Sequence, residues 1–361
     1  MEEKKKTKIL FISHTFPPVV GGVENQNFEL YTWLSKTVEV KLIANRSRKM
    51  LPIFLPLVVL RAVFAVRDCD MLILGSGILA PAGWLVKKIN RKPAIAVIHG
   101  LDLTWKFGFY QKFWVKFFIP SLDKLIAVGN ETVRVGLERG IPKEKMVFIP
   151  NGVDVKKNYP HPDCNKLDEL LGMKTEDKNV LVTSGRLAKR KGVAWFIRNV
   201  LLKLSEDFIY VVSGNGPDKE NILSAIKETR LQERVIVLGF IEDETRNMLM
   251  STGDLFVQPN IKVAGDMEGF GISVIEAGAC AIPVLASRLE GLQDAIKDGQ
   301  NGFLVESENA QAYIDKINSL FADKNSLKEF GKKVRRFVVE NYSWEIIVQK
   351  YLNEMNEVLK K

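Results

Sequence analysis

The sequence predicts an α/β protein built of two Rossmann-like domains, each with a doubly wound parallel sheet. The chain has 361 residues, more than one ordinary domain holds. Short apolar runs alternate with longer segments of helical period, which is typical of a parallel sheet covered on both faces. The alternation pauses at residues 155–178 and then restarts. We therefore expect domains at 1–157 and 158–335 that face each other across a cleft, with ligands beyond the carboxyl ends of the strands.

Six strands are predicted in the first half, and residues 23–35, 81–88 and 131–139 have a helical period between them. The strands are KILFIS, VEVKLIA, DMLILGS, AIAVIHG, KLIAVG and MVFIPNG. The apolar run 51–66 is shorter than the ~20 residues of a membrane span and contains Pro52, Pro56 and Arg61. It is therefore predicted as a core helix.

Five strands are predicted in the second half, each followed by a helix-like stretch. They are NVLVTSGR, DFIYVVSGNG, RVIVLGF, DLFVQPN and IPVLAS. The last segment, from residue 326 on, is helical in pattern, and Ser343 is a suitable N-cap for a final helix. Residues 336–361 are set apart as a helical tail whose docking position stays open, with the N-terminal domain as one candidate.

Composition limits the cellular setting and the partners. Cys69, Cys164 and Cys280 lie far apart with no CxxC pair, which argues against a zinc site or a disulfide framework. The N-terminal segment lacks the apolar run and cleavage site of a secretory signal. We expect reduced thiols and a cytoplasmic protein.

The net charge of +9 lies entirely in the first half. Residues 1–160 contain 25 Lys and Arg against 13 Asp and Glu, whereas the remainder contains 27 against 30. A basic partner surface, if the chain has one, belongs to the first half. No nucleic-acid-binding module is recognisable, so nucleic acid is not an expected partner.

The loop after the first strand carries Gly21 and Gly22 directly before a predicted helix. Glycines at this place let backbone N–H groups approach a phosphate at a helix N-terminus. A tight turn without a ligand explains a single glycine pair equally well.

The loop after the strand NVLVT has the sequence SGRLAKRKG and carries Arg186 and Lys191. Arg offers a planar fork to phosphate oxygens and Lys a compact charge, so the two together suit a pyrophosphate. A solvated basic face before a helix is the alternative. The position after a strand favours a binding function.

The segment EGFGISVIEA is the most specific motif, because two carboxylates, Glu268 and Glu276, stand eight positions apart across a glycine-rich turn that enters a helix. Carboxylates accept hydrogen bonds from the paired hydroxyls of a ribose or hexose. The backbone N–H groups of Gly271 and Ile272 are available to sugar or phosphate oxygens. Acids near helix starts are also common for structural reasons.

The order of motifs resembles the retaining glycosyltransferases of family four, which have the GT-B fold. The motifs are the GGVE loop, HG after a strand, PNGVD, GRLAKRKG, GNGP and EGFGISVIEA. The resemblance runs from about residue 8 to about residue 344. It implies a hexosyltransferase of envelope glycoconjugate synthesis that uses a nucleotide-diphosphate sugar as donor and a glycan or a lipid-linked hydroxyl compound as acceptor.

The resemblance also implies roles for individual residues. Arg186 and Lys191 would hold the donor diphosphate, Glu268 would contact the donor sugar, and Glu276 would hold the ribose. His99 would lie near the sugar, and Arg186, Lys191 and Glu268 would act with it in catalysis. The donor-binding set implied by the motifs is Gly21, Gly22, Arg186, Lys191, Glu268, Phe270, Gly271, Ile272 and Glu276.

No metal and no other cofactor is expected, because in this family cations and a helix N-terminus neutralise the leaving diphosphate. The chain has three histidines, and its one DxD sequence, Asp68-Cys69-Asp70, precedes a strand instead of following one. His99 alone is equally well explained as a structural hydrogen-bond partner. The resemblance implies retention of configuration by front-face attack.

Residues 104–119 combine eight aromatics with three lysines. As a helix they would place Phe113, Trp114, Phe117 and Phe118 on one face, with Lys112 and Lys116 at its flank. This pattern favours peripheral attachment to an anionic membrane surface, and packing against the first sheet is the alternative.

Two other functions stay open on the sequence alone. A sugar-nucleotide epimerase has the same architecture, and a module that binds a nucleotide sugar without turnover would retain the same motifs. The donor base and sugar, the acceptor, the linkage and the oligomeric state are not readable from the motifs.

Overall fold

The computed structural model describes residues 6–19, 21–160 and 165–360 and divides the chain into two compact units. The first unit is Met1–Gly152 with Trp344–Lys361, and the second is Val153–Ser343. These divisions lie near the boundaries at 157 and 335 that the sequence indicates. The second unit continues to Ser343 because the long helix before it packs on the helix that follows the EGFG turn.

The sheet of the first unit has six parallel strands in the order β2-β1-β3-β4-β5-β6. The strands are β1 Lys8–Ser13, β2 Glu39–Ala44, β3 Met71–Leu74, β4 Ala94–Ile98, β5 Lys124–Ala127 and β6 Met146–Phe148. Alternate side chains enter two cores on opposite faces, so that Ile9 and Phe11 belong to one and Leu10 and Ile12 to the other. Both faces are covered by helices, which is why the strands read as continuous apolar runs.

Seven α-helices of the first unit lie between its strands. They are α1 Gly22–Ser35, α2 Leu51–Ala65, α3 Ala80–Asn90, α4 Gly100–Thr104, α5 Gly108–Tyr110, α6 Ile119–Ser121 and α7 Asn130–Glu138. A π-helix, Gln111–Phe118, joins α5 to α6, and short 3-10 helices occupy Arg48–Met50, Gly77–Leu79 and Lys143–Lys145. Helix α2, α3 and the π-helix share the core on one face of the sheet, and α1 belongs to the core on the other.

The prediction that residues 51–66 form a core helix is wrong for half of the helix surface. Val58, Ala62 and Val63 of α2 are buried against the sheet. Leu57 and Leu60 are 60% and 61% exposed. An almost uniformly apolar sequence carries no periodic signal that separates the packed face from the exposed face.

The second unit also has six parallel strands, in the order β12-β11-β10-β7-β8-β9. They are β7 Asn179–Ser184, β8 Phe208–Ser213, β9 Val235–Gly239, β10 Leu255–Gln258, β11 Val284–Ser287 and β12 Phe303–Val305. Strand β12 is not among the strands that the apolar runs predict. Three residues after an Asn-Gly turn are too few to show an alternating pattern.

The helices of the second unit surround its sheet. They are α8 Asn165–Leu171, α9 Val193–Asn199, α10 Lys219–Thr229, α11 Asp243–Thr252, α12 Ile272–Ala279, α13 Leu292–Ala295, α14 Ala310–Phe321 and α15 Lys324–Tyr342, with 3-10 helices at Lys189–Lys191 and Leu201–Lys203. The final helix, α16 Trp344–Leu359, starts directly after Ser343 and belongs to the core of the first unit with α1.

Helix α16 is fixed to the first unit by buried side chains. Trp344, Ile347 and Tyr351 are at most 1% exposed and pack in the same core as β1 and α1. A Cβ at Gly152 would lie 2.6 Å from the Trp344 ring. The glycine of the Asn-Gly-Val-Asp motif therefore lets the chain pass close to this ring.

No helix within the part of the chain that the structure describes has the length and apolarity to cross a bilayer. Cys69 and Cys280 are buried free thiols, and burial raises the pKa of both. Cys164 lies outside the described residues.

Candidate functional site

A buried ion pair between Lys191 and Glu268 lies at the carboxyl edge of the second unit's sheet. Lys191 Nζ lies 2.7 Å from Glu268 Oε2, and each residue is 8% exposed. The two residues follow β7 and β10, which are adjacent strands of the sheet. The structure thus brings together two residues that the sequence analysis assigned to one donor site.

The loop after β7 holds Lys191 in place through glycines with positive φ. Gly185 has φ +137° and Gly192 has φ +68°. A Cβ at Gly192 would lie 1.8 Å from the backbone oxygen of Pro259, in the loop after β10. This close approach of two loops explains why the basic segment returns toward the sheet after Lys191.

Glu268 is held by three cationic or amide groups. Arg190 Nε lies 3.7 Å from Glu268 Oε2, and Asn260 Nδ2 donates a hydrogen bond to the same oxygen at 3.2 Å. Burial alone would raise the pKa of Glu268, but the charges of Lys191 and Arg190 and these hydrogen bonds outweigh it and lower the pKa. Glu268 is therefore a buried carboxylate kept in its charged form.

Asn260 connects this ion pair to a buried polar network that the sequence analysis did not find. The amide Oδ1 of Asn260 accepts from Gln258 Nε2 at 2.5 Å, and Gln258 Oε1 accepts from Ser273 Oγ at 3.0 Å. Asn260 and Gln258 are at most 1% exposed. The signal was present, since Gln258 ends β10 and Asn260 follows two positions later, but amide side chains at a strand end are too common to be singled out.

Glu290 is a second functional candidate that the sequence analysis missed. Its Oε2 accepts a hydrogen bond from the backbone N–H of Glu268 at 2.6 Å. Burial, together with the nearby charge of Glu268, raises the pKa of Glu290. Glu290 has φ +48°, and a Cβ at the neighbouring Gly291 would lie 2.4 Å from the oxygen of Gly269. The loop after β11 thus fixes the backbone of the EGFG turn.

The start of α12 combines a glycine with uncapped backbone donors. Gly271 has φ +86° and occupies the N-cap position without a side-chain hydrogen bond to the helix. The backbone N–H of Ile272 belongs to the first turn, where helix donors have no intrahelical acceptor. These groups can bind an anionic oxygen, as the sequence analysis expected for Gly271 and Ile272.

The prediction that Phe270 binds the donor is wrong for its side chain. The ring is 2% exposed and packs edge-on against Tyr342 at a centroid distance of 5.8 Å. Aromatic burial holds the turn from the inside, so only the backbone of Phe270 is available to a ligand.

Glu276 lies in the second turn of α12, with its side chain 16% exposed. Its Oε1 is 3.9 Å from Nη2 of Arg246, at the outer limit of an ion pair. Both carboxylate oxygens retain capacity for further hydrogen bonds, because a carboxylate offers about four acceptor sites. The assigned contact with a ribose stays a prediction.

Arg186 lies apart from the ion pair, on the exposed part of the loop after β7. Among the residues that the structure describes, its guanidinium has no hydrogen bond or ion pair. Five N–H donors are therefore open to an anionic ligand. Lys191 and Arg186 differ in this respect, since Lys191 has a buried partner.

In the first unit, Gly21 and Gly22 stand at the start of α1 as expected. A Cβ at Gly21 would lie 2.3 Å from Glu24 Oε2, whereas a Cβ at Gly22 would have no atom of the described residues within 4 Å. Glu24 is 8% exposed and accepts a hydrogen bond from Thr15 Oγ1 at 2.8 Å. A carboxylate beside Gly21 is unfavourable for a phosphate there, and Gly22 keeps its open space.

His99 follows β4 and precedes α4, and its surroundings are structural in part. Its Nε2 lies 3.3 Å from the backbone oxygen of Gly75, and its backbone N–H donates to Asp102 Oδ2 at 2.9 Å. The Asp102 carboxylate also accepts from Ser76 Oγ at 2.8 Å. The predicted catalytic contribution of His99 stays a prediction.

Two other motifs pack within their own units. The Gly214 and Gly216 turn lies against the loop after β7, and a Cβ at Gly214 would stand 1.8 Å from the oxygen of Gly185. Asp68 of the DxD sequence pairs with Lys8 at 3.0 Å and with Lys41 at 3.1 Å. In the described ranges no group of three or more His, Cys, Asp or Glu side chains could hold a metal ion.

The aromatic segment 104–119 is divided between core and surface. Trp114 donates from Nε1 to the backbone oxygen of Ile78 at 2.8 Å, and Phe118 packs against the core. Phe113 and Phe117 are 37% and 51% exposed. The four aromatics therefore do not form one exposed face, because Trp114 and Phe118 of the π-helix pack against the core and only Phe113 and Phe117 are exposed.

Two family models match this chain and together span most of its length. The model described as Glycosyltransferase Family 4 matches residues 20–157, and the model described as Glycosyl transferases group 1 matches residues 172–337.

Curated relatives and solved structures match over most of the chain. The GDP-mannose-dependent alpha-(1-6)-phosphatidylinositol monomannoside mannosyltransferase of Mycolicibacterium smegmatis is 24% identical, over 93% of this chain and 95% of that protein. The N-acetyl-alpha-D-glucosaminyl L-malate synthase of Bacillus anthracis is 25% identical, over 78% of this chain and 72% of that protein. The crystal structure of Anabaena HepE in complex with UDP has a TM-score of 0.80 at 21% identity and covers 97% of this chain and 100% of its own.

Proposed function

We propose, from the premise that this chain belongs to the family 4 glycosyltransferases and has their GT-B fold, that it transfers a hexose with retention of configuration to a hydroxyl group of a glycan or lipid-linked acceptor. The chain is a nucleotide-sugar-dependent hexosyltransferase, as its family and relatives indicate. Retention, the acceptor and the membrane contact are the parts proposed here.

The observation that carries the proposal is the buried pair of Lys191 and Glu268 beside the uncapped start of α12. Burying two charges is costly, and a hydrophobic pair of the same size is often no less stable. A function in binding the donor would explain why two charged residues occupy this buried position. Lys191 has three N–H donors, of which Glu268 accepts one, so two remain for phosphate oxygens.

Two kinds of cation are available for the donor diphosphate. Lys191 is fixed in place by Glu268, while Arg186 is exposed and free to move onto a ligand. The leaving nucleotide diphosphate gains negative charge as the anomeric bond breaks. Preoriented cations and helix N–H groups stabilise that charge without a large rearrangement.

The proposed reaction is a front-face substitution. The bond between the anomeric carbon and the phosphate oxygen breaks, and its electron pair leaves with the diphosphate. The acceptor hydroxyl oxygen forms the new bond on the same face, and its proton passes to the leaving phosphate. The negatively charged Glu268 would hold hydroxyl groups of the donor sugar and favour the positive charge that develops on its ring.

The acceptor and the cellular location are proposed from the basic first unit. Phe113 and Phe117 present exposed rings next to the exposed Lys112 and Lys116. Aromatic rings among lysines suit the boundary between anionic headgroups and acyl chains. We therefore place the enzyme in the cytoplasm, in peripheral contact with the inner membrane face, where a lipid-linked acceptor would be reached.

The experiment is a panel of nucleotide sugars, including GDP-mannose and UDP-glucose, tested for thermal stabilisation of the chain and for slow hydrolysis. Stabilisation by at least one donor is expected, followed by transfer in acceptor trials and analysis of the anomeric configuration of the product. An inverted product would contradict retention. Isomerisation of the donor without an acceptor would instead indicate an epimerase.

Variants separate the donor site from the general charge of the protein. Lys191→Ala and Glu276→Gln should each weaken donor stabilisation by at least about tenfold in apparent affinity, since each removes a charge-assisted hydrogen bond. The matched controls are Lys189→Ala, an exposed lysine of the same loop, and Glu220→Gln, an exposed acid in the first turn of α10. Unchanged affinity in both site variants would refute the assigned roles.

A further inference from the structure

The exposed apolar side chains of this protein are concentrated in one part of the first unit. Of the eighteen large hydrophobic residues that are exposed in the described ranges, twelve lie between residues 50 and 117. Single exposed apolar residues are normal on a soluble surface, but such a concentration marks an interaction surface.

Helix α2 supplies a continuous line of these residues. Ile53, Leu57, Leu60 and Phe64 are 52–64% exposed and follow the helical spacing of four, three and four positions. We call these four residues the α2 stripe. At ~1.5 Å per residue the stripe is about 16 Å long, and it faces away from the core that Val58 and Ala62 enter.

The α2 stripe belongs to the same helical layer as the aromatic segment. Helix α2 packs against α3, and α3 packs against the π-helix, all on one face of the first sheet. Trp84 of α3 lies 5.9 Å from the Phe117 ring. The outer surface of this layer therefore carries apolar side chains from α2 as well as from the segment 104–119.

The charges around the layer are almost all positive. Residues 46–118 contain twelve Lys and Arg and three Asp and Glu. Ten of the twelve cations are exposed, whereas Asp102 is buried and Asp68, the exposed acid, is paired with Lys8 and Lys41. Cations also border the α2 stripe itself, with Arg61 exposed on the same helix and the Arg67 guanidinium 4.9 Å from the Phe64 ring centroid.

We propose that α2 lies in the plane of an anionic bilayer surface, with the α2 stripe in the boundary between headgroups and acyl chains. A protein partner would be expected at a surface depleted in lysine, and a second copy would bring like charges face to face. Anionic headgroups match both the cations and the apolar stripe. The inference extends the membrane contact proposed for residues 104–119 and rests on that part of the proposed function.

The test is flotation of the full chain with vesicles of phosphatidylcholine alone and of phosphatidylcholine mixed with phosphatidylglycerol. Binding to the mixed vesicles that weakens as salt rises is expected. The double variant Leu57→Ser with Leu60→Ser should lower partitioning by about tenfold or more, because apolar area leaves the interface. The matched control is Leu202→Ser with Leu223→Ser, which changes two leucines of the second unit that are 48% and 41% exposed.

Each outcome supports or contradicts the proposed membrane contact of the α2 stripe. Equal flotation of the α2 double variant and the wild type, or no flotation of the wild type, would overturn the proposal. So would a wild-type dimer in lipid-free solution that the α2 variant converts to a monomer, because a second copy would then cover the stripe. An unchanged melting temperature shows that the variant is folded, as expected for exposed positions.

Two further measurements separate this proposal from the proposed function. The double variant Phe113→Ser with Phe117→Ser tests the aromatic segment alone. If this variant loses flotation and the α2 variant does not, only the contact through residues 104–119 stands and the proposal for α2 fails. Donor stabilisation by a nucleotide sugar is measured on the same variants without lipid. We expect it to be unchanged in all of them, so a failure of donor binding in the wild type counts against the glycosyltransferase site and not against α2.

Discussion

At the scale of single residues, the proposed donor site contains a carboxylate that is kept charged in a buried position. Burial disfavours the charged form of Glu268 and raises its pKa. The cations Lys191 and Arg190 and the hydrogen bond from Asn260 favour the charged form, and the net effect is a lowered pKa. A neutral residue of the same shape would remove this balance and leave two cations beside each other. The cost of that change is measurable as stability and as acid sensitivity.

Replacing Glu268 by Gln should reduce the free energy of unfolding by about 3 kcal/mol at neutral pH, since the buried Lys191 loses its counterion. The pH dependence follows from the lowered pKa. A lowered folded-state pKa stabilises the protein above the ordinary glutamate range, about 4.3, and this stabilisation is lost as the pH falls through the lower folded value. Urea unfolding of wild type and variant from neutral to acid pH measures the difference, which should shrink toward low pH.

A suitable control for this prediction is Glu228→Gln, because Glu228 is an exposed acid that pairs with Arg198 at 2.6 Å. Its stability should be hard to distinguish from that of the wild type at any of these pH values. A Glu268→Gln difference that stays constant down to acid pH would contradict the ion-pair explanation.

The site could be predicted from the sequence where charged residues follow strands, and not where the neighbours are neutral or distant. Lys191 and Glu268 were selected by residue type and position, and the structure places them 2.7 Å apart. Asn260 and Glu290 were missed because their importance comes from partners in other loops. Phe270 is an error of the opposite kind, since it was included because of its place in the motif, and that place does not reveal that its ring is buried.

At the scale of elements, the two loops that carry Lys191 and Glu268 are held by backbone contact. Gly192 combines φ +68° with a Cβ position 1.8 Å from the oxygen of Pro259. The loops after β7 and β10 approach each other only because this residue has no side chain.

Replacing Gly192 by Ala should therefore destabilise the second unit by more than about 2 kcal/mol, since a positive φ alone costs about 1–2 kcal/mol and the contact with Pro259 adds to it. Donor stabilisation should fall as well, because Lys191 is the preceding residue. Gly140→Ala is the matched control, with φ +83° and no atom within 4 Å of the added Cβ. Equal losses in the two variants would show that only the backbone conformation matters.

Elements with a strong period were predictable, and elements without one were not. The eleven strands read from apolar runs are present, whereas β12 is too short to show a pattern. Helix α2 was placed wholly in the core because Leu, Val, Ile and Phe fill all of its faces. In the segment 104–119 one apolar face was assumed, whereas the core takes up Trp114 and Phe118 and leaves Phe113 and Phe117 exposed.

At the scale of the whole molecule, the chain returns to its first unit after completing the second. Helix α16 contributes Trp344, Ile347 and Tyr351 to the core beneath β1 and β3. The sequence indicated a helical tail but not its docking position, because contacts far apart in the chain leave no local pattern. The first unit therefore depends on a helix that follows the whole second unit in the sequence.

A chain that ends at Ser343 should keep the second unit folded and lose cooperative folding of the first. All the strands of the second unit and its helices α8–α15 remain, whereas the core that contains Ile9 and Phe11 loses one of its covering helices.

Trp344→Ala tests the same dependence in the full chain and should cost about 3–5 kcal/mol of unfolding free energy, because the ring is 1% exposed. Hydrogen exchange resolved along the sequence measures both effects, with faster exchange expected in β1 and β3 and unchanged protection in β7 and β8. Ile346→Ala is the control, since Ile346 lies on the same helix with 39% exposure. Undiminished protection of β1 in the shortened chain would show that the first unit folds without its last helix.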